Sequence, residues 1–184
     1  SKTTPKEMTI EDISEVQKSF IQGAIKAKEA GFIGVEIIGS AGYLLTQFLS
    51  PITNKRTDNY GGSFENRMRF ATELIHKMRE ALGKEYPITI RMAGNDFMPE
   101  SNDSNVTPLI ALEYEKAGID AINVTGGWHE TRVPQLSMDV PQGAYAYLAG
   151  KIKKVVNIPV FASNRISDPA IANSIIKEGY ADLI

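Results

Sequence analysis

Six side chains in this sequence stand where a parallel α/β fold puts chemistry, at or just beyond the ends of short apolar runs. Tyr43 follows the run Val35-Glu36-Ile37-Ile38, and Arg91 ends the run Pro87-Ile88-Thr89-Ile90-Arg91. His129 and Arg132 follow the apolar run near 120–125, and Asn164 and Arg165 follow Ile158-Pro159-Val160-Phe161-Ala162. One phenol, one imidazole and several guanidiniums therefore converge on one face. A phenol is protonated at neutral pH and can deliver a proton; an imidazole can support it. The guanidiniums suit an anionic cofactor. No carboxylate pair and no nucleophilic Ser or Cys stands out at these positions, so acyl transfer and glycoside hydrolysis do not fit. Each residue also has a plainer reading. Tyr43 could be a core tyrosine with a satisfied hydroxyl, and Arg91 could pair with Asp96. His129 could be structural, although Gly126-Gly127 before it and Arg132 after it mark a functional loop. His76 lies mid-helix among Lys77 and Arg79 and reads as solvated surface. Trp128 either packs under its loop or shapes a substrate channel.

The elements that must position these groups alternate along the chain. Three segments, KEAGFIGVEII (28–38), EKAGIDAINV (115–124) and IKEGYADLI (176–184), repeat a helix end, a glycine and a short apolar run. Glycine relieves the left-handed position after a helix, and the apolar runs suit buried parallel strands. The pattern predicts five strands, at about 33–38, 87–92, 120–125, 158–162 and 181–184. It predicts helices at about 10–30, 64–82, 106–117, 143–155 and 169–178. Thr9, Ser63 and Asp168-Pro169 supply helix-start signals. Alternation of this kind means an α/β parallel sheet. Five strands are too few for a closed (β/α)8 barrel, which takes about 250 residues. The expectation is one incomplete barrel domain over 1–184, roughly the second half of a TIM barrel, lacking the first strands and the end of the barrel. A small doubly wound sheet is the alternative, but no glycine-rich dinucleotide loop follows the first strand.

Bulk properties narrow the class. The chain has 184 residues, 22 acidic and 20 basic side chains, two histidines and no cysteine. That excludes disulfides and thiolate metal sites, and two histidines alone do not make a metal centre. No basic cluster marks a nucleic-acid or membrane footprint, and no apolar run reaches spanning length. The polar N-terminus is unlike a signal peptide. These features point to a cytoplasmic protein acting on a small-molecule substrate, with no nucleic-acid or membrane partner.

The stretch YLLTQFLSPITNKRTDNYGGSFENRMRF, 43–70, is a long polar loop between a strand and a helix. Loops of that length without structure of their own are uncommon unless functional or disordered. This one resembles the Old Yellow Enzyme family of flavin oxidoreductases, where a run close to GYLLxQFLSPxTNxRTDxYGGSxENRxRF follows the fourth barrel strand. Within that family the chain is similar to the bacterial 2,4-dienoyl-CoA reductase group. The carriers are Ile38-Gly39-Ser40-Ala41-Gly42-Tyr43, GGWHETRVP (126–134) and NRISDP (164–169). Positions 38 and 41 lack the histidines that many ene-reductases place there, which removes their substrate-carbonyl clamp.

The resemblance implies an FMN-dependent enzyme that reduces an activated C=C, a 2,4-dienoyl or enoyl thioester or an enone, with NAD(P)H as reductant. It implies Tyr43 and His129 as catalytic, Arg91, Asn164 and Arg165 as cofactor-binding, and Arg132 as substrate-binding. The helix starting near Pro169 is expected to turn its N-terminus toward the FMN phosphate. Arg56, Asp58, Asn66 and Arg67 are expected to form a polar network that fixes the loop and supports Tyr43. An iron–sulfur cluster is expected downstream of this chain. The isolated chain is expected to be inactive and to self-associate through exposed sheet edges as a homo-oligomer. A flavin amine dehydrogenase or NADH oxidase is the alternative within the class. An aldolase-type barrel is disfavoured, because no lysine stands at a strand end.

Overall fold

The computed structural model describes residues 6–133 and 136–184. The first five residues, part of the polar N-terminus above, and Pro134, the end of the 126–134 run, lie outside them. The element order is α1 (Ile10–Glu29), β1 (Val35–Gly39), α2 (Leu44–Leu49), α3 (Phe64–Leu82), β2 (Ile88–Ala93), α4 (Thr107–Ala117), β3 (Ala121–Thr125), α5 (Ala146–Lys153), β4 (Val160–Ala162) and α6 (Pro169–Lys177).

The predicted caps form. Thr9 and Asp12 make a reciprocal capping box, with bonds of 2.8 and 3.1 Å. Ser63 accepts from the Asn66 amide at the start of α3, and Asp168 accepts from the Ala170 amide at 2.8 Å. Two expectations fail. The segment 181–184 joins the sheet at one bridge, between Phe161 and Leu183, and not as a full strand: Asp182 and Leu183 donate to the Val160 carbonyl, and Leu183 accepts from the Ala162 amide. The loop at 43–63 also has structure of its own: Leu44, Leu45, Phe48 and Leu49 lie one helical turn apart and form α2. Phe48 stacks on Phe70 of α3 with ring centroids 4.3 Å apart.

All four strands pair in parallel, in the order β1-β2-β3-β4. A doubly wound sheet reverses its strand order at a switch point; this sheet advances by one strand at every crossover, as a barrel wall does. Its two faces differ. Ile37, Ile88, Ile90, Met92, Ile122, Val124 and Val160 are buried with Phe70, Leu74, Ile75 and Met78 of α3. Each such side chain contributes about 1.5–3 kcal/mol. The opposite face carries Glu36, Ile38, Thr89, Arg91, Asn123 and Phe161 and is open, with Ile38 45 % exposed. Among the described residues no helix is long and apolar enough to cross a membrane.

Candidate active site

The C-terminal ends of the strands share one rim. Beyond β1 the chain turns through Ala41 at φ 60° and Gly42 at φ 86°. A left-handed alanine costs about 1–2 kcal/mol, and its surroundings hold it there. Ala41 bridges to Trp128, and its carbonyl accepts from the His129 amide. The turn makes Tyr43 the residue before α2, where its own carbonyl accepts from the Gln47 amide and the Thr46 hydroxyl. The side chain is thereby thrown outward. Tyr43 is 53 % exposed, which rules out the core-tyrosine reading.

The loop after β3 is held against the loop after β2. Gly94 donates to the Thr125 carbonyl, Gly127 to the Asn95 carbonyl and the Thr131 hydroxyl to the Phe97 carbonyl, at 2.8, 2.7 and 2.9 Å. A side chain at Gly126 would press on the Phe97 ring at 3.1 Å. This close docking explains the glycine pair noted in the sequence. It carries His129 to Tyr43: His129 Nε2 lies 3.1 Å from the Tyr43 hydroxyl, and the rings meet edge-on with centroids 5.4 Å apart.

Arg91 stands on the open face of β2, in register with Ile38 of β1 and Asn123 of β3. It makes no ion pair with Asp96 or any other described residue. The Asp96 carboxylate instead accepts from the Ser101 hydroxyl at 2.6 Å and the Asn102 amide at 3.1 Å. Burial pushes its pKa up, and these donors partly oppose the rise. Beside Arg91, Glu36 accepts from Asn123 Nδ2 at 3.2 Å, and the Ser163 hydroxyl donates to Asn123 Oδ1.

After β4, Asn164 and Arg165 both take positive φ, 74° and 55°. The Asn164 amide group donates to Thr125 Oγ1 at 2.7 Å, so its side chain fixes the turn. Arg165 Nε donates to the Val140 carbonyl at 3.1 Å. The backbone amides of residues 164–166 donate to no described residue. Successive backbone amides in a turn can cup an anion. The helix expected to help is already satisfied at this end: Asp168 caps α6, and Gln142 accepts from the Ser167 amide and hydroxyl. An aspartate at that cap also opposes an anion there. Arg132 is exposed at the rim, and His76 is exposed on α3. The sequence reading named Asp96 only as a partner for Arg91, and it missed Ser101 and Ser50.

The supporting loop is only partly as expected. Arg56 pairs with Asp58, but Asn66 and Arg67 bind carbonyls of Gly61, Gly62 and Leu49. Its hub is Asn54, which donates to the Phe48 and Tyr60 carbonyls at 2.6 and 2.7 Å and accepts from the Arg56 amide.

The family model for the NADH:flavin oxidoreductase / NADH oxidase family matches residues 1–184. A protein named metal reductase from Desulforamulus reducens is 58 % identical over 98 % of this chain and 27 % of its own length. An NADH oxidase from Thermoanaerobacter brockii is 44 % identical over 99 % of this chain and 28 % of its own length. A 2-naphthoyl-CoA reductase solved with 2-naphthoyl-CoA superposes with a TM-score of 0.94 at 36 % identity, covering 97 % of this chain and 27 % of that one. The chain thus spans about a quarter of the length of these relatives.

Proposed function

Because the chain belongs to the NADH:flavin oxidoreductase / NADH oxidase family, we propose that its protein is an FMN-dependent oxidoreductase that reduces an activated C=C, as in a dienoyl, enoyl or aryl thioester or an enone. The observation that carries this reading is the 3.1 Å contact between Tyr43 and His129 at the rim, on the same sheet end as an arginine with no carboxylate partner.

The residues present fit FMN. Arg91 offers a half-buried cation on the open face, and the 164–166 turn offers three amides with no acceptor among the described residues, beside the Arg165 guanidinium. Arg91 and Arg165 would hold the cofactor, with Asn164 shaping the turn. Bound and reduced, FMN supplies a hydride, with NAD(P)H as its reductant. The Tyr43 hydroxyl gives its proton to the carbon that becomes carbanion-like at the other end of the double bond. His129, with its proton on Nε2, donates to the Tyr43 oxygen and steadies the phenolate left behind. Arg132, exposed on the same loop, meets the polar part of the substrate. The thioester named in the solved relative supports that substrate class. The iron–sulfur cluster belongs to this proposal only as a group held elsewhere in the protein, since this chain has no cysteine.

In the full-length protein, Tyr43→Phe should slow substrate-driven flavin reoxidation about a hundredfold or more while flavin still binds; an unchanged rate rejects the assignment. Arg165→Ala should weaken FMN binding, read by quenching of flavin fluorescence. The same residues could serve a flavin amine dehydrogenase or an NADH oxidase. Product analysis with a dienoyl thioester, an amine or dioxygen as the only partner separates the three.

A further inference from the structure

The loops after β1, β2 and β3 meet around one buried carboxylate. Asp96 is 2 % exposed. Burying a carboxylate costs several kcal/mol unless it is well bonded; its direct bonds lie within its own loop, and that loop is tied to both neighbours. Ser101, which donates to it at 2.6 Å, also shares a 2.6 Å hydrogen bond with Ser50, the residue that ends α2. The Asn102 amide donates to the carboxylate, and the Asp96 amide returns a bond to the Asn102 carbonyl. The carbonyls on either side of it, of Asn95 and Phe97, accept from the Gly127 amide and the Thr131 hydroxyl of the loop after β3. Tyr43 begins α2 and Ser50 ends it; Gly127 and Thr131 each lie two residues from His129. The anchored 95–102 segment therefore holds the tyrosine's helix through Ser101 and Ser50 and the histidine's loop through its own carbonyls.

We propose that Asp96 is a positioning residue for the Tyr43–His129 pair, acting through Ser101 and Ser50 on one side and, on the other, through the 95–97 segment that holds the histidine's loop. This rests on the reading of that pair as the proton-delivering group. The carboxylate's own bonds lie within 94–102, and Ser101 with the flanking Asn95 and Phe97 carbonyls extends them to the two loops that carry the reacting side chains. Such groups must be held to about 0.5 Å to work.

The test uses two substitutions that break the same chain of bonds at its two ends, Asp96→Asn and Ser50→Ala, singly and together. Each is expected to lower the rate of substrate-driven flavin reoxidation about ten- to a hundredfold, with flavin binding and flavin reduction by NAD(P)H within about twofold. The double variant is expected to lose no more than the worse single one, since both break one path. With 15N-labelled histidine, each is also expected to move the His129 imidazole resonance toward its position in Tyr43→Phe, leaving His76 unmoved. An unmoved His129 resonance in folded Asp96→Asn, or losses that multiply in the double variant, overturns the proposal. If Asp96→Asn does not fold, Ser50→Ala alone decides by the same resonance. If Tyr43→Phe leaves reoxidation intact, the functional reading falls, while the His129 resonance still decides the positioning role.

Discussion

At the scale of single residues, position was legible and partnership was not. Tyr43, Arg91, His129 and Arg165 could be picked out because strand ends are where such folds place chemistry, and apolar runs reveal strand ends. The 3.1 Å contact between Tyr43 and His129 joins residues 86 apart in sequence, and no local pattern encodes it. Asp96 was read as a partner for Arg91 for the same reason: the chain of bonds from it through Ser101 to Ser50 crosses to another loop. Beside it, Tyr114 is fully buried and its hydroxyl has no partner among the described residues, and burial with the nearby Asp96 charge raises its pKa strongly. An unsatisfied buried hydroxyl costs about 1–3 kcal/mol. Tyr114→Phe should therefore stabilise the fold by about 1 kcal/mol, seen as a higher midpoint in denaturant with an unchanged slope; a lower midpoint would mean the hydroxyl is bonded.

At the scale of elements, the repeated glycine segments were readable as helix ends, and Gly31, Gly118 and Gly179 do take positive φ. A second layer of the repeat was not. Asp120 accepts from the Ile88 amide and pairs with Arg79; Asp182 accepts from the Val160 amide and pairs with Lys153. Both aspartates follow a helix-ending glycine and staple the next segment to the strand before it. α2 was hidden because its six residues lie inside a stretch dominated by polar and turn-forming types. Its support hangs on Asn54, whose amide holds the Phe48 and Tyr60 carbonyls. Asn54→Ala leaves both without their donor and should cost about 2–4 kcal/mol, checked by chemical denaturation. A loss below about 1 kcal/mol would show that the loop re-pairs on its own.

At the scale of the whole molecule, the parallel α/β class was legible from alternation alone, while the strand order and the unequal faces emerge only when the strands are laid side by side. The open face and the free edge of β1 lead us to expect that this 184-residue chain by itself self-associates. Light scattering that reports a monomer across a concentration series would reject that. Acid stability has a definite sign. Arg56 holds Asp58 below the usual carboxylate range, and Lys153 with the Val160 amide does so for Asp182. Unfolded, both return to a value near 3.8 and bind protons more readily. Their contribution is complete above that value and is lost as pH falls through the folded ones. Asp96 runs the other way: its raised value contributes most below 3.8 and loses that contribution as pH rises through the folded value. Thermal melts at descending pH should show Asp58→Asn and Asp182→Asn losing less stability on acidification than the parent chain. Equal slopes would mean neither pair is formed in solution.

The chain has a single tryptophan, Trp128, buried one residue from His129 and bridged to Ala41. The indole emission of this chain therefore comes entirely from the rim. It is a native fluorescent probe of whether the loops after β1, β2 and β3 are docked, and a flavin arriving nearby would quench it by energy transfer.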